Sequence, residues 1–163
     1  MMRIVKADRQ DLKEILELQY MAYRSEAEIY NNYNIQPLRQ TLKQLEEEFD
    51  QQVILKAEMD GMIVGSVRAF VDQGTCKIGK LIVHPDYQNK GIGTTLMNEV
   101  ENYFKGCLKF QLFTGDKSLR NLHLYTKLGY KEFESEEINP KLKIIYLEKE
   151  ASRDNILKGG KHL

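Results

Sequence analysis

Leu81-Ile82-Val83-His84-Pro85-Asp86-Tyr87-Gln88-Asn89-Lys90-Gly91-Ile92-Gly93-Thr94 runs from an apolar segment through a turn into the amphipathic pattern that continues to Phe104. A strand, a turn rich in backbone donors and a helix start therefore follow one another directly. Gly91 and Gly93 carry no Cβ, so a bulky ligand can approach the backbone closely. The first N–H groups of the following helix have no partner within the helix and lie at the positive end of its dipole, a setting that suits a pyrophosphate. Known nucleotide fingerprints fit poorly. A dinucleotide motif asks for glycines two residues before and three residues after Gly93, but position 96 is Leu96 and no early βαβ unit surrounds the turn. A P-loop lysine follows its glycine, whereas Lys90 precedes Gly91.

Outward from this segment the pattern gives a strand at Arg3-Ile4-Val5-Lys6 and a helix entered near Asp8, with Leu12, Ile15, Leu16, Ala22 and Tyr23 at helical spacing. Glu26 to Pro37 mixes carboxylates, tyrosines and amides without a clear period and reads either as a long connection or as an ordinary helix extension with Ile29 and Tyr33 packed in the core. A second helix is expected over Thr41 to Phe49. Val53 to Met59 and Met62 to Val71 flank Asp60-Gly61, a strong hairpin signal. Cys76 to His84, Lys109 to Phe113, Tyr130 to Phe133 and Leu142 to Leu147 supply further strands. A helix capped by Asp116 or Ser118 and ended at Gly129 separates two of them. The expected class is α+β, a mixed, largely antiparallel sheet flanked by helices. Residues 1–150 read as one domain and 151–163 as a polar tail.

At 163 residues and 42% hydrophobic, the chain is long enough for one sizeable core. Its 24 basic and 24 acidic residues leave a formal net charge of +0, which argues against nucleic acid or an anionic membrane as partner. Charge interrupts the first residues before any long apolar run, so neither a signal peptide nor a membrane span is expected, and the cytoplasm is the expected location. Cys76 and Cys107, and likewise His84, His123 and His162, lack metal-ligand spacing, so no metal is expected. Both cysteines read as small buried hydrophobes, and His84 before Pro85 as a strand-end residue.

Gln88-Asn89-Lys90-Gly91-Ile92-Gly93, with its Leu-x-Val-x-Pro lead-in, resembles the acetyl-coenzyme A signature of the GNAT N-acetyltransferases. Downstream, Leu124-Tyr125-Thr126-Lys127-Leu128-Gly129-Tyr130 is similar to a second element of that family, in the same order and at about its spacing. The resemblance implies the GNAT acyltransferase fold and acetyl-coenzyme A as cosubstrate. It implies that backbone groups of Leu81, Ile82 and Val83 hold the pantetheine arm and that Gln88, Asn89, Lys90, Gly91, Ile92, Gly93 and Thr94 cradle the pyrophosphate. Ser118 stands where many members have an asparagine, and Asn121, one helical turn nearer the motif tyrosine, can supply an amide instead.

The resemblance further implies that Tyr125, like Ser118 and Asn121, contacts the cofactor and that it protonates the leaving thiolate, a task suited to a phenol of pKa ~10; the alternative is a core aromatic on an apolar helix face. Many family members place a glutamate base on the strand before the signature, but Cys76-Lys77-Ile78-Gly79-Lys80 contains no carboxylate. Glu58, Asp72, Glu26 and Glu28 remain candidates for the base, and Glu46-Glu47-Glu48 for drawing in a cation. The acceptor is expected to be a small-molecule, peptide or protein amine attacking the thioester directly, with Glu26, Glu28, Tyr30 and Tyr33 lining its site. The enzyme is expected to act as a monomer or homodimer. A non-catalytic acyl-coenzyme A-binding module, a structural or partner-binding protein, and a transferase of another acyl chain stay open as alternatives.

Overall fold

The computed structural model describes residues 1–152. In chain order it contains β1 (Arg3–Lys6), α1 (Leu12–Tyr30), α2 (Gln36–Arg39), α3 (Leu42–Phe49), β2 (Val53–Met59), β3 (Met62–Asp72) and β4 (Thr75–Val83). There follow α4 (Ile92–Tyr103), β5 (Lys109–Gly115), α5 (Leu119–Lys127), β6 (Lys131–Asn139) and β7 (Leu142–Glu150). The seven strands form one mixed sheet in the order β1-β2-β3-β4-β5-β7-β6, an α+β architecture with flanking helices. β1 and β2, β5 and β7, and β6 and β7 pair antiparallel, while β4 and β5 pair in parallel. Asp60 and Gly61, at φ 55° and 73°, and Gln73 and Gly74, at φ 51° and 82°, turn the two hairpins. Two left-handed residues in succession match the twist of the strands they join.

The chain divides into two compact units, one of Met1–Arg68 with Lys80–Met97 and one of Ala69–Gly79 with the chain from Asn98 onward. In the first, Leu12, Ile15, Leu16, Leu18, Leu45, Ile54, Ile63 and Ile82 form the apolar core. A 3-10 turn, Arg9–Asp11, leads into α1, and Asp8 opens it, its N–H donating to Asp11 Oδ2 (2.8 Å) in a capping box. The helix runs seven residues beyond Tyr23, so Glu26, Glu28, Ile29 and Tyr30 belong to it rather than to a long connection. Ala27 is its last buried apolar residue, and Asn31, at φ 50°, ends it. Ile29 and Tyr33 are exposed. The true connection to α2 is Asn31 to Ile35. Thr41 caps α3 by accepting the Gln44 N–H at 3.2 Å.

In the second unit Cys76, Ile78, Val100, Cys107, Phe110, Leu112, Ile145 and Leu147 are buried. Both cysteines are free thiols, and burial raises their pKa values, that of Cys76 to about 12. The β4–β5 pairing covers Thr75–Lys77 against Lys109–Gln111, the first third of the nine-residue β4. β6 is exposed along its whole length, and Glu132, Glu134, Glu136 and Glu137 charge this edge against further strand pairing. Ala151 is buried and its N–H donates to Leu108 O at 3.0 Å, so the packed chain extends one residue beyond 150. The rest of the polar tail, from residue 153, lies outside the described residues. Among the described residues, no helix is long and apolar enough to cross a membrane, and no group of three or more His, Cys, Asp and Glu could hold a metal ion.

Candidate functional site

The turn quoted first follows β4 through a single 3-10 turn, Pro85–Tyr87. His84 anchors it, its N–H donating to Val64 O (2.8 Å) and its Nδ1 accepting from the Asp86 N–H (3.1 Å). Asn89 and Gly91 are both left-handed, at φ 62° and 81°, and a Cβ at Gly91 would meet no protein atom within 4 Å. Helix α4 starts at Ile92, and Thr95 returns both its N–H (3.0 Å) and its hydroxyl (2.8 Å) to Gly91 O. The N–H groups of Ile92, Gly93 and Thr94 therefore lie in the first turn, without acceptors further up the helix. Lys90 is exposed, its ammonium 5.8 Å from the Tyr87 ring centroid.

What holds α4 in place is a close approach to β3. A Cβ at Gly65 would stand 2.9 Å from Leu96 Cδ1, 3.0 Å from Ile92 Cγ2 and 3.2 Å from Ile82 O. The missing side chain lets the first turns of α4, which carry the N–H cradle, lie directly on the strand. Nothing in the local pattern of Met62 to Val71 marked this glycine.

The remaining cofactor and acid candidates fall in the second unit, on α5. Asn121 and Tyr125, one turn apart, share a face of that helix. Tyr125 is buried, with its ring centroid 6.1 Å from that of Tyr130. Asn121 Nδ2 donates to Thr114 Oγ1 at 3.4 Å. Ser118 is buried at the helix start, where its carbonyl accepts the Leu122 N–H, but its side chain makes no cap bond. Asp116 does not cap either; its Oδ1 accepts the Lys143 N–H at 3.0 Å and braces β7. Gly129, at φ 99°, turns the chain, and the Tyr130 hydroxyl donates to Glu101 Oε2 while Lys149 donates to Glu101 Oε1, both at 2.8 Å. Burial, reinforced by Glu101, raises the Tyr130 pKa far above the ordinary phenol range, so Tyr130 stays protonated.

The carboxylate candidates differ sharply in setting. Glu58 pairs with Lys56 and Arg3, and the Lys56 hydrogen bond, the largest influence, holds its pKa below the usual carboxylate value. Asp72 ends β3 exposed, and Glu28 is exposed on α1. Glu26 is partly buried and acts on Tyr23, whose pKa rises to about 12 through burial first and through Glu26, with Arg68 opposing. Of the Glu46-Glu47-Glu48 run, Glu48 faces inward and binds Arg68 at 2.8 Å.

Arg68, 1% exposed, centres a polar cluster that the sequence pattern did not reveal. Its guanidinium donates to Gln40 Oε1 (3.1 Å), Glu48 Oε2 (2.8 Å) and Gln19 Oε1. Gln40 Nε2 donates to Glu48 Oε1 at 2.8 Å, and Gln19 Nε2 to Gln40 Oε1 at 3.0 Å and Pro37 O at 2.8 Å. Burial lowers the Arg68 pKa and Glu48 opposes the shift. Lys80, left-handed at φ 51° within β4, feels both of these charges.

Comparison with known proteins yields one consistent match. The model of the acetyltransferase (GNAT) family fits residues 10–130. An amino-acid acetyltransferase of Aliivibrio fischeri is 30% identical over 124 residues, which are 75% of this chain and 27% of that protein. The chain thus spans about a quarter of that relative's length. Among solved structures, the PaiA N-acetyltransferase of Thermoplasma acidophilum in complex with coenzyme A superposes with a TM-score of 0.78 at 20% identity, covering 92% of this chain and 99% of that one. The ribosomal-protein-S18-alanine N-acetyltransferase of Escherichia coli gives 0.77 at 16% identity, covering 93% and 95%.

Proposed function

Since the chain belongs to the GNAT acetyltransferase family, an acetyl-coenzyme A-dependent N-acetyltransferase by that membership, we propose that residues 1–150 form one transferase domain that moves the acetyl group directly to a primary amine. The observation that carries this reading is the turn before α4, where left-handed Asn89 and Gly91 open onto the first N–H groups of the helix. The fit to acetyl-coenzyme A is chemical. Backbone donors and the helix dipole match a pyrophosphate, and the open position at Gly91 admits it. Leu81, Ile82 and Val83 offer backbone groups to the pantetheine arm, and Ser118 and Asn121 further polar contacts.

In the reaction the amine nitrogen, once deprotonated, bonds to the thioester carbon and the C–S bond breaks. Tyr125 gives its phenolic proton to the departing sulfur. We assign the base role to Glu26, directly or through water. Glu58 is the weaker candidate, because a carboxylate held in a salt bridge with a lowered pKa has less drive to take a proton. Likeness to an amino-acid acetyltransferase makes an amino-acid-sized acceptor the first to try.

Calorimetry on Gly91→Val tests the turn. At φ 81° a β-branched residue is strained, and its side chain occupies the approach to the cradle. Acetyl-coenzyme A affinity is expected to fall at least ~10-fold, given hydrogen bonds to a charged group worth ~1.5–3 kcal/mol each. A folded variant with wild-type affinity would place the pyrophosphate elsewhere.

A further inference from the structure

Neither the cofactor turn nor the proton transfers above use the cluster around Arg68. The charge of Arg68 is matched by Glu48 at 2.8 Å. Lys80 is different. It is partly buried, and among the described residues no carboxylate lies within ion-pair distance of it; the charges acting on its ammonium are Arg68, which repels it, and Glu48, which attracts it. Burial lowers its pKa, with Arg68 adding to the effect. The two basic residues are neighbours across β3 and β4: counting back from the bond between the His84 N–H and Val64 O brings Lys80 opposite Arg68, counting from the Gln73-Gly74 turn brings Gly79 there, and left-handed Lys80 lies where the two registers meet.

A second observation is independent of the first. Arg68 Nε is buried and has no hydrogen-bond acceptor among the described residues, although both terminal nitrogens are engaged. Buried donors are ordinarily paired, since water has been stripped from them without replacement. Here an unmatched ammonium and an unmatched guanidinium N–H belong to one cluster, whose neutral members Gln19 and Gln40 hold the guanidinium plane fixed. A carboxylate has two oxygens with capacity for several donors, and charge-assisted bonds to it are the strong ones.

We propose that Lys80, backed by Arg68, is a subsite for a carboxylate of the acceptor, so that the amine acetylated belongs to the amino-acid class. The assignment rests on the reading of this chain as an N-acetyltransferase acting on primary amines. Glu48 screens Arg68 and leaves Lys80 the charge that discriminates. Glu26, on α1, is the carboxylate assigned above to the amine end.

The test measures coenzyme A thiol release with the standard amino acids, their carboxamides and the matching decarboxylated amines, for the wild type, Lys80→Met and Lys80→Arg. The best amino acid is expected to exceed its carboxamide and its decarboxylated amine by about 10- to 100-fold in kcat/KM, the range of a charge-assisted hydrogen bond. Lys80→Met is expected to erase that preference, chiefly through KM, and Lys80→Arg to restore part of it. Wild-type indifference to the carboxylate, or a Lys80→Met effect on the KM of acetyl-coenzyme A instead of the acceptor, overturns the subsite. Calorimetry of N-acetyl amino acids and their amides against the coenzyme A-loaded wild type separates the two ideas. Carboxylate-dependent binding without turnover supports the subsite and refutes amine transfer, whereas turnover without carboxylate dependence refutes the subsite alone.

Discussion

Gly65→Ala adds one methyl group where β3 meets α4. Its Cβ would lie 2.9 Å from Leu96 Cδ1 and 3.0 Å from Ile92 Cγ2, against an optimum of ~3.5–4.0 Å between carbons. Both side chains are buried, at 0% and 1% exposure, so neither can swing into solvent, and the backbone oxygen of Ile82 at 3.2 Å closes the third direction. Forcing a methyl group into such a site costs ~1–3 kcal/mol. Restricting the unfolded chain returns ~0.4–1 kcal/mol, because Gly65 lacks the positive φ that would strain an alanine. The net loss spans about 0–2.6 kcal/mol with a midpoint of ~1.3 kcal/mol, which lowers the melting temperature by ~3–5 °C for a domain of this size. Relief by outward movement of α4 would also shift its N–H cradle, so acetyl-coenzyme A affinity should fall alongside stability. Thermal unfolding followed by circular dichroism, paired with calorimetric titration of acetyl-coenzyme A, reads both quantities. An alanine variant as stable as the wild type and equally tight for the cofactor would refute the close approach as the device that seats α4.

Three further outcomes are expected. Tyr125→Phe keeps the ring and removes the acidic proton, so kcat with the best acceptor should drop ~100-fold or more with acetyl-coenzyme A affinity retained; near wild-type turnover would reduce Tyr125 to packing. Arg68→Met should destabilise by ~3–5 kcal/mol in urea unfolding, since it strands Glu48, Gln19 and Gln40 without their shared donor, and a loss below ~1 kcal/mol would show that the cluster rearranges freely. Lys56→Met tests linkage. Burial alone would raise the Asp11 pKa, but the Lys56 hydrogen bond and charge, with the Asp8 N–H, bring it below 3.8, and the Lys56 hydrogen bond leads in holding Glu58 below 4.5. Carboxylates with lowered folded pKa values contribute stability above their unfolded values and lose it as pH falls through the folded ones. The melting-temperature gap between wild type and Lys56→Met should therefore be wide near neutrality and narrow below about pH 4; a gap independent of pH would deny the ion pairs their role.

Sequence pattern carried far where local physics decides structure. Asp60-Gly61 turned its hairpin, and the strand Val53–Met59 matched residue for residue. The turn before α4 was legible because a left-handed glycine next to a helix start leaves a local signature. Glu26 to Tyr30 left helix and connection undecided because the outward face of the last turns of α1 is polar and aromatic: one buried residue, Ala27, suffices to continue the helix, and a single alanine makes no periodic pattern. β6 outran its expected end at Phe133 because an exposed edge strand needs no alternating apolar face, and its glutamates read as loop. Arg68 and Lys80 escaped for a different reason. Alternation within a strand does not tell a core-facing arginine from a surface one; the partners that admit Arg68, namely Gln19, Gln40 and Glu48, come from α1, from the residue that follows α2 and from α3. Gly65 was silent on the same ground, since its neighbours belong to a helix some thirty residues later.

The most direct measurement incubates the purified protein with acetyl-coenzyme A and a panel of primary amines, reading thiol release and product mass together. Transfer to an amine predicts stoichiometric free coenzyme A and a product heavier by one acetyl group, with initial-rate lines that intersect as both substrates are varied and no acetylated protein in the absence of amine. Parallel initial-rate lines with an acetylated protein intermediate, or tight acetyl-coenzyme A binding with no acetylated product from any amine, would contradict direct transfer.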